Sequence, residues 1–176
     1  MRLRTADDFP NLLYIAAIVS EIFRWRHPSP GGLHHASGED DVYRGFWIPK
    51  DTAVVATHFA LDTDETIFER PFDFDPDRWI PLLGSVGGLA PGLYVGRNSV
   101  TMAITRLLWG YAFEDGKRLD FPPWDLTQGI GVRPSPFKAS FRVRDQKRQD
   151  IIKKAWIGAE KDTDVLLRQA GSSFTG

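Results

Sequence analysis

The 176-residue chain contains no cysteine. That absence excludes disulfides, cysteine-ligated zinc, iron–sulfur clusters, cysteine nucleophiles and any haem held by a thiolate from this chain. Long hydrophobic runs are missing too: the most apolar stretch, Leu12 to Val19 (LLYIAAIV), is 8 residues, against the ~18 that suggest a membrane span. Met1-Arg2-Leu3-Arg4 leads into acidic residues rather than an apolar signal core, so the chain reads as soluble, cytoplasmic by default. Charge of one sign is also lacking. With 22 Lys and Arg against 23 Asp and Glu, a net charge of −1 and a pI near 6.4, the whole-chain balance points to neither nucleic acid nor an anionic membrane, while leaving room for local patches. No internal repeat, heptad pattern or linker divides the chain, and residues 1–176 read as one domain.

What is present is a chain 42% hydrophobic and 12% aromatic, enough to support a packed core. Between Asn11 and Trp25, Leu12, Ile15, Ala16, Val19, Ile22 and Phe23 recur at helical spacing, bounded by Pro10 and by His27-Pro28. Val42–Trp47 and Thr52–His58 read as two strands of a β-hairpin turning at Ile48-Pro49-Lys50-Asp51. Asp62 to Trp79 reads as a charged, aromatic meander with a short helix around Asp64 to Glu69. A second amphipathic helix is expected over Arg97–Phe113, from Val100, Ile104, Leu107, Leu108 and Tyr111, ending at Asp115-Gly116-Lys117. Turns at Phe121-Pro122-Pro123-Trp124, Gly129-Ile130-Gly131 and Pro134-Ser135-Pro136 lead to a strand over Phe137–Val143, and the tail from Lys147 to Gln169 reads as partly helical.

Two features ask for a chemical reading. Glu21-Ile22-Phe23-Arg24 places a carboxylate and a guanidinium at i, i+3, able to pair bidentately if a third group fixes them. On spacing alone this is a surface ion pair, contributing only ~0–1 kcal/mol. The second is LLGSVGGLAPGLYVGR, residues 82–97, a glycine-rich stretch entering an apolar helix. It contains neither a phosphate-binding G-x-x-x-x-G-K-[ST] nor a strict G-x-G-x-x-G.

Order and company decide. A helix with E-x-x-R, then DDVYRGFWIPKDTAVVATHFALDTDE, then PFDFDPDRW, a glycine loop with APG and the helix RNSVTMAITRLLWGYAF run in the sequence of a cytochrome P450. The resemblance continues through TQGIGVRPSPFKASFRVR to AEKDTDVLL, is closest to fungal microsomal members of secondary metabolism, and covers the C-terminal portion of that fold. It implies an α+β arrangement: E-x-x-R helix, small β-hairpin sheet, meander, degenerate haem loop, following helix and C-terminal strands. It also implies a truncated member, without the membrane anchor, most of the substrate pocket and the oxygen-activating helix that precede this portion in the family.

Within the resemblance, Glu21, Arg24 and Arg78 match the family's structural charge cluster, two guanidinium forks around one carboxylate. His35 falls where relatives place a histidine near a haem propionate, although by its own surroundings it is a solvated loop residue; Arg133 falls in a turn that edges the substrate pocket. Pro91-Gly92 and Asn98-Ser99 fit C-P-G-x-x-[LI]-A-x-N-S on both sides, which puts Ala90 at the position of the iron-ligating cysteine. Leu83, Val86 and Gly88 replace the family's phenylalanine, a glycine and the propionate-binding arginine. Tyr94 lies inside the following helix, where packing is the ordinary fate of a tyrosine, and His34, His35 and His58 offer no axial candidate. Haem is thus implied by the family, at the cofactor positions His35, Gly88, Ala90 and Gly92, while a methyl group cannot ligate iron and the residues point to no cofactor and no catalytic residue.

The expectation is a homologue unable to run haem-thiolate monooxygenation alone. Two rivals stand beside it. One is a haem-free enzyme holding a small hydrophobic metabolite in a pocket of Trp47, Phe59, Trp109 and Ile130; the other is a non-enzymatic interaction protein, or an incomplete gene product, whose bare apolar faces bind a protein partner. The acidic groups Asp7-Asp8, Glu39-Asp40-Asp41 and Asp73, Asp75 and Asp77 read as solvated loops or caps.

Overall fold

A computed structural model describes residues 1–82, 91–113, 126–127, 129 and 131–172, with the side chains of 91–94, 167 and 169–172 outside that description. The first helix, α1 (Leu13–Trp25), lies where the apolar spacing puts it. A 3₁₀ turn, Ala6–Asn11, leads into it. Asp8 pins that entry: its carboxylate accepts from the Thr5 backbone N–H at 2.9 Å and from both Arg2 guanidinium nitrogens at 2.8 Å. Those donors hold its carboxyl down at about 2, the Arg2 hydrogen bond being the main cause.

The strands are shorter and differently paired than the sequence pattern suggests. The stretch Val42–Trp47 is not one strand. It folds back on itself as β2 (Asp41–Tyr43) and β3 (Phe46–Ile48), with Tyr43 opposite Phe46. Arg44 (φ 50°) and Gly45 (φ 84°) are the two turn residues, both in the left-handed region that a two-residue turn of the I′ kind requires. Around this inner hairpin, β1 (His34–Ala36) pairs antiparallel with β4 (Ala53–Val55). β4 stops at Val55 because Thr57 turns the chain into α2 (His58–Asp62), so the short helix precedes Asp64–Glu69, which forms turns instead. Gly32 is required where the chain enters β1: its φ is 75°, and a Cβ there would fall 2.1 Å from the Ala56 carbonyl oxygen.

A second 3₁₀ segment, Pro76–Leu82, packs on α1. The second long helix, α3 (Pro91–Gly110), begins earlier than Arg97 and yields at Tyr111 to β5 (Tyr111–Phe113), which pairs with β6 (Phe141–Val143). Phe113 and Phe141 meet edge-on at 5.2 Å across this pair, the kind of cross-strand contact that closes a short ladder. Phe137–Ser140 lies outside β6, and an isolated bridge joins Leu126 to Pro134. The tail forms α4 (Gln146–Gly158), capped by the Asp145 carboxylate on the Arg148 N–H at 2.8 Å, and α5 (Thr163–Ser172). The expected helix end at Asp115-Gly116-Lys117, the turn Phe121–Trp124 and Ile130 lie outside the described residues.

Among the described residues the fully buried apolar core is small, Ala17 and Val19, and the largest fully buried side chain is Glu21. The centre of this fold is a carboxylate.

Candidate functional site

Glu21 lies on the face of α1 turned toward the 3₁₀ segment, with no exposed surface. A buried carboxylate is costly unless its lone pairs are met, and here all four acceptor sites are used. Oε1 accepts from Arg24 Nη2 at 2.7 Å and from the Asp75 backbone N–H at 3.0 Å; Oε2 accepts from Arg24 Nε and from Trp79 Nε1, each at 2.9 Å. Burial pushes the Glu21 carboxyl up, and these donors, Arg24 foremost, outweigh it, leaving the carboxyl below its ordinary range.

Arg24 is equally engaged. Its Nη1 donates to the carbonyls of Asp62 and Pro71 at 2.8 Å and its Nη2 to that of Asp73 at 3.3 Å. One guanidinium therefore ties α1 to the end of α2 and to two points of the meander, and its carbon lies 5.1 Å from the Phe68 ring centroid. Trp25 adds a bond from Nε1 to the Phe72 carbonyl at 2.7 Å.

Arg78 completes the cluster differently from the double fork that the sequence suggests. Its Nε stands 3.4 Å from Glu21 Oε1, and its Nη1 donates to the Glu69 carbonyl at 3.0 Å. Nε and Nη2 are buried without a hydrogen-bond partner among the described residues. The reason is stoichiometric: Arg24, Asp75 and Trp79 have already filled the carboxylate, so Arg78 meets Glu21 by charge alone and spends its one hydrogen bond on the Glu69 carbonyl. The Asp75 amide is a member that spacing could not reveal, since a main-chain donor has no residue-type signature; Trp79, beside Arg78 in the sequence, donates through its indole side chain.

Beside the cluster is an open pocket of about 290 Å³ whose wall includes Ser20, His27, His58, Asp62, Trp79 and Arg97. His27 and His58 stack at 4.1 Å and 19°. The Ser29 N–H donates to His27 Nδ1 at 3.1 Å, so a neutral His27 carries its proton on Nε2. Burial, and then the neighbouring His58, push the His27 imidazole below its ordinary value. Burial pushes the Asp62 carboxyl up, and its Oδ2 has no hydrogen-bond partner among the described residues. Two titratable groups here thus lean toward their neutral forms.

The remaining site residues are dispersed. His35 is exposed in β1, opposite Val54. Arg133 takes part in the turn to Thr127 through its backbone. Gly92 lies in the first turn of α3, the Tyr94 side chain is undescribed, and Leu83, Val86, Gly88 and Ala90 lie outside the described residues. Trp47, Phe59 and Trp109 do not line the pocket: Trp47 is 63% exposed on β3, Phe59 sits in α2, and Trp109 lies in α3 under the Arg148 guanidinium.

An E-x-x-R helix bracketing a meander, two nested antiparallel strand pairs and a long helix entered at Pro91-Gly92 follow one another in the order that the sequence resemblance implies. The comparisons agree. The cytochrome P450 family model matches residues 2–86. Cytochrome P450 monooxygenase FrzL of Cladobotryum sp is 41% identical across 98% of this chain and 36% of its own length, and cytochrome P450 monooxygenase peniB of Penicillium patulum is 39% identical across 92% and 32%. A zebrafish cytochrome P450 structure superposes with a TM-score of 0.69 at 23% identity, over 81% of this chain and 36% of that one. The chain is related to fungal cytochrome P450 monooxygenases. It spans about a third of the length of the curated relatives it matches.

The family's cofactor is haem on a cysteine thiolate. The donor set of this chain does not fit it: the sequence contains no cysteine to supply the thiolate. Among the described residues no group of three or more His, Asp or Glu gathers to hold a metal ion.

Proposed function

We propose that this chain is a degenerate cytochrome P450 homologue of fungal secondary metabolism that does not itself perform haem-thiolate monooxygenation. One observation carries the reading: Ala90 lies between two intact flanks, Pro91-Gly92 and Asn98-Ser99, in a chain without any cysteine. Oxygen activation in this family draws on electron density donated by the thiolate, and a methyl group donates none. Glu21, Arg24 and Arg78 are fold residues and not catalysts, because a carboxylate whose every lone pair is engaged has no site left at which to accept a substrate proton.

The test is a carbon-monoxide difference spectrum of the purified chain, supplied with haemin and reduced. No thiolate-type Soret band is expected, and its appearance overturns the reading. Ala90→Cys is the converse test: a thiolate-type band gained by that variant would assign its absence in the parent chain to this one position.

The inner hairpin favours a second reading, a non-enzymatic role in which a protein partner covers apolar surface. Val42, Tyr43, Phe46 and Trp47 are 57%, 60%, 76% and 63% exposed on adjacent strands, a concentration that marks interaction surfaces. Light scattering coupled to size exclusion separates the two: a stable complex lost on Phe46→Ser with Trp47→Ser supports the partner.

A further inference from the structure

The balanced charge of the whole chain conceals a strong local imbalance. Residues 133–154 hold eight Lys or Arg and two Asp, in a chain whose net charge is −1. β6 and α4 fold most of this stretch onto the end of α3. Arg144 donates its backbone N–H to the Gly110 carbonyl at 3.0 Å and its Nε to the Leu108 carbonyl at 2.9 Å. Arg148 pairs with Asp145 and lies 5.5 Å from the Trp109 ring centroid. Ile152 approaches Gly110 so closely that a Cβ there would stand 3.1 Å from its Cδ1. These arginines and Ile152 form the inner side of the unit.

The lysines face the other way. Lys138, Lys153 and Lys154 are exposed and make no ion pair or hydrogen bond among the described residues, and the exposed Lys147 meets only the field of Asp145. On a helix, i+3 and i+4 spacing sets Lys153 beside Trp156 and Ile157, and Lys154 beside Ile157. Trp156 is 68% and Ile157 76% exposed, and the Lys161 ammonium sits 5.0 Å from the Trp156 ring centroid. The acidic groups nearby accept hydrogen bonds from neutral donors of their own segment and keep their charge. Asp150 accepts from Gln146, Glu160 from the amides of Lys161 and Asp162, and Asp162 from those of Asp164 and Val165.

We propose that the outer face of α4, centred on Lys153, Lys154, Trp156 and Ile157, is a contact surface for an anionic lipid bilayer. A helix with one packed side and an outer side of lysines around a tryptophan and an isoleucine has the chemistry of an interfacial helix. Its aromatic ring suits the headgroup boundary, and its lysines extend their stems over apolar surface while their ammonium groups meet anionic headgroups. A protein partner fits less well, because lysine is depleted from protein–protein interfaces where tryptophan is enriched. The surface is remote in sequence from Ala90 and does not depend on the haem-free reading.

The whole 176-residue chain is sedimented with vesicles of phosphatidylcholine, with and without phosphatidylserine, at low and high salt. Binding is expected only with phosphatidylserine and weakens as salt rises. Each lysine near an anionic surface contributes roughly five-fold in partitioning, so Lys153→Glu with Lys154→Glu lowers it by at least about twenty-five-fold. Trp156→Ala with Ile157→Ala weakens binding as well, whereas Phe46→Ser with Trp47→Ser leaves it unchanged; far-ultraviolet circular dichroism confirms that each variant keeps its helices. Equal binding to pure phosphatidylcholine, or binding lost with the hairpin variant and kept by the lysine variant, overturns the proposal. So does failure to bind either vesicle, and capture on immobilised polyglutamate in that case would assign the face to an acidic protein.

Discussion

The bracket around Glu21 and the hairpin of β2 and β3 place opposite kinds of residue against expectation. The bracket buries a carboxylate completely and a guanidinium almost so, at 5% exposure for Arg24. The hairpin leaves Phe46 and Trp47 mostly in solvent. What separates them is partners: the bracket supplies Glu21 with four donors from three residues, while the hairpin is two strands of three residues closing only on each other. A lone two-stranded ribbon is marginal in water, and this one is tied at its base, where the Lys50 N–H donates to the Asp40 carboxylate at 2.7 Å and the Ser37 N–H to the Thr52 carbonyl at 3.0 Å. For Glu21, burial follows satisfied hydrogen bonding and not hydrophobicity.

The sharpest way to break this contrast is Glu21→Ala. It leaves Arg24 as a buried, unpaired cation, and a loss of about 3–5 kcal/mol is expected in urea denaturation. Next is Arg24→Lys, which keeps the charge but cannot bridge both carboxylate oxygens and the carbonyls of Asp62 and Pro71 together; about 2–3 kcal/mol should be lost. Arg78→Lys is expected to cost about 1 kcal/mol or less, because Arg78 makes one carbonyl bond and its contact with Glu21 is electrostatic. Equal losses for the two arginine variants would mean that the carboxylate is not saturated as described.

A smaller effect is pH-dependent. His27 is held below its ordinary value of 6.5, so the unfolded chain binds its proton first. Stability is then fully present above about 6.5 and declines as pH falls toward the depressed value. Asp62, pushed up from 3.8, works in the opposite sense at lower pH, since its protonation relieves a buried charge. His27→Gln should flatten the slope of unfolding free energy between neutral and mildly acidic pH; an unchanged slope would assign it to other groups. The smallest expected change in stability is on the hairpin, where Phe46→Ser with Trp47→Ser stays within about 0.5 kcal/mol per site while reducing self-association measured by light scattering.

Much of this architecture is legible in the sequence. Apolar spacing places α1, and E-x-x-R with the later PDRW motif names three charged residues that the fold brings within reach of one another. The hairpin register is not legible from alternation alone. Val42 to Trp47 reads as one strand from its β-branched and aromatic residues, and the left-handed conformation of Arg44-Gly45 turns it back. α3 yields to β5 at Tyr111, against a helical pattern that continues to Phe113, because the backbone there pairs with β6. Saturation of Glu21 is invisible for another reason, since its deciding donor is a main-chain amide. The cationic side of α4 escapes a whole-chain count because most of the acidic residues lie outside residues 133–154.

Arg24 grips the meander by the carbonyls of Asp62, Pro71 and Asp73. Every residue type carries a carbonyl, so this clasp is blind to side-chain identity: at 62 and 73 the side chain can be exchanged while the oxygen beneath it stays in place. Shape and chemistry in such a chain are written in separate alphabets. A lineage that loses a ligand at one loop position can therefore go on inheriting the scaffold around it, because what the scaffold recognises is the course of the main chain.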